Sequence, residues 1–174
     1  VDNPSTNVNT LYITNYSGAP SVRVRDTILV DRGTFNSGGR NLYLYGDMVM
    51  RNNGVFTPLA ADFVIAGNNQ HRITLDNTVG VTYNNLELTG GNVLVTTTVS
   101  SATAQVNIGN RLLFSTSAVV NVRTYDRRVV MATGATVQRP YGVGFVDGTL
   151  RKPFAAGAGS VLFEIGNGTA YTPA

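Results

Sequence analysis

Leu42-Tyr43-Leu44-Tyr45-Gly46, Phe63-Val64-Ile65-Ala66-Gly67 and Leu86-Glu87-Leu88-Thr89-Gly90 are three copies of one short phrase, an alternating apolar triplet closed by glycine. Alternation with a period of two puts the outer pair of each triplet on one face of a strand and the middle residue on the other. Further copies are Val22-Arg23-Val24, Val106-Asn107-Ile108 before Gly109, and Val130-Met131-Ala132 before Gly134. From Val22 to Val130 each copy starts about 20–24 residues after the last. A repeat of that length, with short strands and no crossover helix, predicts a chain that stacks each circuit on the last. The expected fold is therefore all-β, a right-handed parallel β-helix (β-solenoid) with rungs of about 20–24 residues.

Secondary triplets fill the remainder of each rung: Ile28-Leu29-Val30, Met48-Val49-Met50, Ile73-Thr74-Leu75, Val93-Leu94-Val95 and Leu112-Leu113-Phe114. Asn52-Asn53-Gly54, Asn68-Asn69, Asn84-Asn85 and Gly90-Gly91-Asn92 lie between them, residues that accept tight or left-handed backbone at corners. Asparagines stacked there can also bond along the column. An antiparallel β-sandwich is the competing architecture, since its turns also recur about every 8–12 residues. A sandwich has no reason to repeat one phrase at one spacing.

Composition narrows the function classes. The chain has 174 residues, 43% hydrophobic and 13% charged, which suits one body with a real core and not a disordered tail. Cysteine is absent, removing disulfides, thiolate metal sites and thiol nucleophiles together. No apolar run is long enough to cross a membrane as a helix. The net charge of +3 comes almost wholly from arginines scattered between Arg23 and Arg151, a dispersal that argues against nucleic acid. The stack is expected to span residues 1–152. Glycine and proline then gather, and residues 153–174 read as a cap or the start of a following strand or domain. The absence of an initiating Met and the break after Pro173 read as a piece of a longer protein.

Chemistry is thinly supplied. Asp31, Asp47, Asp62 and Asp76 recur at about 15-residue steps, so rungs of about 15 would stack them into an acidic column fit for glycoside hydrolysis or calcium. The longer rungs scatter them around the perimeter as turn residues, although the Asn pairs at 52, 68 and 84 keep the shorter step too. His71, beside Arg72, has no acidic or histidine partner nearby and reads as a turn residue. No catalytic residue, metal ligand or cofactor site is assigned. One surface feature follows from the register. With Val22 and Val24 inward, Arg23 and Arg25 face out, and one repeat further on Tyr43 and Tyr45 occupy equivalent places. These four residues are the candidate ligand-binding set, an aromatic and guanidinium platform for sugar rings or a purely structural ladder.

Two segments near the end carry a family resemblance. Gly148-Thr149-Leu150-Arg151-Lys152-Pro153-Phe154, with Phe163-Glu164-Ile165-Gly166-Asn167-Gly168 running on to Pro173, resembles the motif closing β-helical repeat regions in very large secreted surface proteins of Bacteroidota. The upstream rungs are similar to those repeats too. The resemblance implies export by the type IX system, a cell-surface or extracellular location, and adhesive, gliding or matrix roles, although the sequence holds no C-terminal sorting domain. It brings no catalytic residues. Asp26-Thr27-Ile28 matches the tripeptide on which such bacteria place O-glycans, which marks Thr27 as a candidate acceptor, checked by intact mass.

The expected function is thus a noncatalytic structural or adhesive module of a larger surface or filament protein, contacting glycans, surface proteins or flanking repeats and subunits end to end. The alternative is a carbohydrate-active β-helix, a polysaccharide lyase or glycoside hydrolase, with Asp31, Asp47, Asp62 and Arg72 as its suspects.

Overall fold

The computed structural model describes residues 9–12, 21–98, 104–154, 160–168 and 170–174. Every described strand lies parallel to the strand one circuit away, except in the closing hairpin of Ile165–Asn167 with Ala170–Tyr171. The chain is a parallel β-solenoid, without a helix among the described residues. Its strands line three faces. The first face comprises Asn9–Tyr12, Gly33–Asn36, Val55–Thr57, the opening halves of Val81–Leu88 and Val106–Phe114, then Arg128–Met131 and Thr149–Arg151. The second comprises Ser21–Val24, Asn41–Leu44, Asp62–Ile65, the closing halves of the same two long strands, and Thr136–Gln138. The third runs from Ile28–Asp31 through Met48–Arg51, His71–Asp76, Val93–Thr96, Val119–Asn121 and Phe145–Asp147 to Ile165–Asn167. About six circuits at about 4.8 Å per rung make a stack roughly 30 Å tall.

Buried inward columns and the parallel ladders between rungs hold the stack. Leu42, Phe63, Leu86 and Leu112 form one inward column on the second face, each within 1% of complete burial. On the third face Met48, Ile73 and Val95 form another. Where the first two faces meet, Phe56, Phe63 and Tyr83 pack with ring centroids 4.7 to 5.8 Å apart. Tyr83 is wholly enclosed, and its hydroxyl donates to Met48 Sδ at 3.0 Å. Burial pushes that phenol far above its ordinary pKa.

The repeating glycine has a steric cause. The chain leaves the second face at Gly46, Gly67 and Gly90; at Gly46 and Gly90 the rungs come too close for a side chain, and at Gly67 the backbone turns to a φ of +101°. A Cβ on Gly46 would stand 2.6 Å from the Asp26 carbonyl, and one on Gly90 would overlap the carbonyl oxygen of Gly67. The other corners use asparagine as expected. Asn52 and Asn53 adopt positive φ, and Asn110 donates to Asn85 one rung below at 2.6 Å.

The register corrects the sequence reading in three places. Leu86 lies beside Leu112, not Val106, while Val106 lies beside Val81. Val106-Asn107-Ile108 therefore belongs to the first face, and Leu112-Leu113-Phe114 continues the second. The apparent repeat from Leu86 to Val106 jumps between faces. Second, the inward residues of the next rung are Val129 and Met131, with Val130 facing out, a one-residue slip that exchanges the two sides of a strand. Third, the circuits vary in length more than the expected rung does. Val93 pairs with Val120 across a long circuit, and Val146 with Ile165 across a short one. Corners of different length absorb the difference, because only the strand columns need a fixed register.

Candidate functional site

The second face carries the predicted platform at its N-terminal end. Arg23 lies beside Tyr43 in the ladder, with its guanidinium carbon 5.9 Å from the ring centroid. That separation is at the outer limit for an exposed cation–π pair, which stabilises by about 0.5–1 kcal/mol. The Tyr45 N–H donates to the Val24 carbonyl at 2.9 Å, extending the ladder one step and keeping Tyr45 level with Arg25. Both arginines are exposed, Tyr43 is half-buried, and Tyr45 is 40% exposed. One rung on, Val64 follows Tyr43 in the same outward column, yet it is only 3% exposed between Tyr43 and Glu87. Glu87 accepts a hydrogen bond from Ser115 at 2.8 Å.

The four aspartates do not gather. Asp31 lies on the third face beside Arg51, 3.0 Å from its guanidinium, and accepts from Asn52 at 2.8 Å. The Asn52 bond and then Arg51 hold its carboxyl below the ordinary 3.8. Asp76 follows Arg51 in the same column, two rungs from Asp31 with the guanidinium between them, and accepts from Thr98. Asp47 sits at the corner before the third face, where it accepts the Arg72 N–H at 2.8 Å. Asp62, on the second face, pairs at 3.1 Å with Arg111 two rungs away. The shorter period is thereby overturned: Asp31 meets Arg51, not Asp47. No cluster of three metal-binding side chains occurs among the described residues.

Other positions differ from their sequence reading or were not singled out. His71 is a buried residue at the start of a rung strand, 2% exposed, and not a surface turn. Its Nδ1 lies 2.8 Å from the Gly46 carbonyl, which can only accept, so Nδ1–H donates there, and the buried Nε2 has no hydrogen-bond partner. The alternation His71-x-Ile73-x-Leu75 already carried that inward phase. Thr27 stands exposed at a corner, with its N–H donating to Asp26 Oδ1 at 2.7 Å. Near the C-terminal end, Asp147 and Glu164 are buried against Arg123 at 2.8 Å and Lys152 at 2.9 Å. Ion-pair partners so distant along the chain leave no local signal in sequence.

The closing motif of the family resemblance falls on the last first-face strand and on the terminal hairpin. There Phe163 and Ala174 bond across the antiparallel pair. The architecture defines the class, a three-faced parallel β-solenoid. No family model, curated protein or solved structure matches the chain.

Proposed function

We propose that this chain is a noncatalytic structural and adhesive module of a larger extracellular protein, a stiff spacer whose outer faces contact glycans or neighbouring surface proteins. The observation that supports it is the dispersal of the acids. Asp31, Asp47 and Asp62, which a hydrolytic β-helix would bring together, are held on different faces or corners by Arg51, the Arg72 backbone and Arg111. Placement at a bacterial cell surface through type IX export, and membership of an adhesin or filament, follow from the resemblance of the closing motif. Stacked rungs also favour end-to-end contact with flanking repeats or subunits, because parallel strands leave a bonding edge at each end of a solenoid.

The test combines a glycan array with a polysaccharide depolymerisation assay on the full chain. Binding without turnover is the expected result. Turnover that disappears in Asp47→Asn would replace this reading with the carbohydrate-active one.

A further inference from the structure

The platform on the second face has an unbalanced charge. Close ion pairs engage Arg51, Arg111, Arg123 and Lys152 elsewhere on the solenoid. Arg23 and Arg25 take part in none of these and are both exposed. The neighbouring carboxylate of Asp26 is turned to the backbone and hydroxyl of Thr27. Two guanidinium groups without carboxylate partners among the described residues thus share this end of the face with two phenol rings, Arg23 against Tyr43 and Arg25 on the strand position level with Tyr45. Rungs are about 4.8 Å apart and alternate residues in a strand about 7 Å apart, so the four groups mark a patch about one sugar residue across.

Each half of the patch asks for a different property in a ligand. An exposed tyrosine ring takes the apolar face of a ring, while a guanidinium presents its fork to a carboxylate through paired, charge-assisted hydrogen bonds. Further along the same face the sign of charge changes. Glu87 lies two rungs beyond Tyr43 in the Arg23 column, while Asp62, in the column beside it, is neutralised by Arg111. A polyanion laid along the stack would run into that carboxylate, whereas one crossing the stack, with a single acidic residue seated over the first two rungs, would not.

We propose that Arg23, Arg25, Tyr43 and Tyr45 form a subsite for an acidic sugar, a uronate residue of a polysaccharide, which stacks on Tyr45 and places its carboxylate between the two guanidinium groups. The proposal rests on the glycan-contacting part of the function proposed above and adds the charge of the ligand. Salt weakens such binding, since both guanidinium groups are in solvent.

The probe is polygalacturonate, with its fully methyl-esterified form as the comparison; esterification keeps the ring and removes the charge. Titration calorimetry on the full chain is expected to give affinity at least about tenfold higher for the acid than for the ester. Arg23→Gln with Arg25→Gln should abolish that preference while lowering the melting temperature by no more than about 4 °C, the share of the lost Arg23–Tyr43 contact. Arg128→Gln with Arg151→Gln, the same change in net charge on the first face, should keep it. Tyr45→Ser should weaken both forms together. Equal affinity for acid and ester overturns the acidic subsite while leaving an adhesive module intact. Equal loss in the first-face variant reduces the effect to net charge and overturns it too. Absence of polygalacturonate binding, or tighter binding to a single-stranded nucleic acid, also overturns it.

Discussion

Gly90 shows how one residue type encodes a corner. Its neighbour across the rung boundary is backbone, the Gly67 carbonyl, which cannot swing aside as a flexible side chain would. Gly90→Ala should therefore displace two rungs at once and cost about 3 kcal/mol or more, at or above the top of the range for overpacking a core. Gly134 is the control. Its φ is +81° but nothing lies within 4 Å of a Cβ there, so Gly134→Ala should cost only the left-handed strain of about 1–2 kcal/mol. Chemical denaturation of both variants measures the difference, and equal losses would mean that the Gly67 backbone gives way and that close approach does not select glycine at Gly90. The glycines after Leu44, Ile65 and Leu88 were legible because each closes a locally alternating triplet, although the backbone that Gly46 and Gly90 meet lies one circuit away. Asp62 and His71 were not, since Arg111 and the Gly46 carbonyl reach them only after one or two circuits of chain.

Among the elements, the terminal hairpin depends most on a single side chain. The Arg139 guanidinium stacks on the Tyr171 ring at 3.5 Å and donates to the carbonyls of Gly142, Val143 and Gly144. One planar group thereby ties the loop before Phe145–Asp147 to the return strand of the hairpin, Ala170–Tyr171. Arg139→Ala should loosen both, speeding amide exchange at Val146 and Thr172 by at least about tenfold while the Met48–Arg51 rung stays protected. Arg139→Lys should not restore protection, because an ammonium cannot stack and fork together. Uniform loss across all rungs would show instead that the hairpin and the stack unfold as one unit. This element also marks the reach of pattern reading. Val161-Leu162-Phe163-Glu164-Ile165 alternates as a strand does, but its antiparallel return cannot be inferred from a repeat that is parallel everywhere upstream.

At the scale of the molecule, a solenoid is a sum of rungs and their interfaces. Leu42 pairs with Phe63, so removing residues 42–62 deletes one circuit and joins strands already in register. That variant should keep its β-sheet circular dichroism and a cooperative melt, with the midpoint lowered by roughly 4–8 °C for a loss of about 2 kcal/mol. Removing only 42–57, to suit the spacing of the aspartates, throws every later strand out of column and should leave no cooperative transition. Survival of the second variant and loss of the first would contradict the observed register.

The sequence by itself determined the class of fold. Alternation and repeated glycines are properties of neighbouring residues, so Leu42, Leu44, Phe63, Ile65, Leu86 and Leu88 declared an inward column, and Arg23 and Tyr43 were placed side by side correctly. Only the tertiary structure decided which face each later triplet joined. Val106 follows Leu86 at the interval of a next rung, yet it stacks on Val81, because the long strands Val81–Leu88 and Val106–Phe114 bend around a corner and each supply two faces. A strand's period fixes which side chains point inward; it carries no information about the wall on which that strand will lie. That choice is made by the column of side chains beneath it, and so it appears only once the chain has closed each circuit.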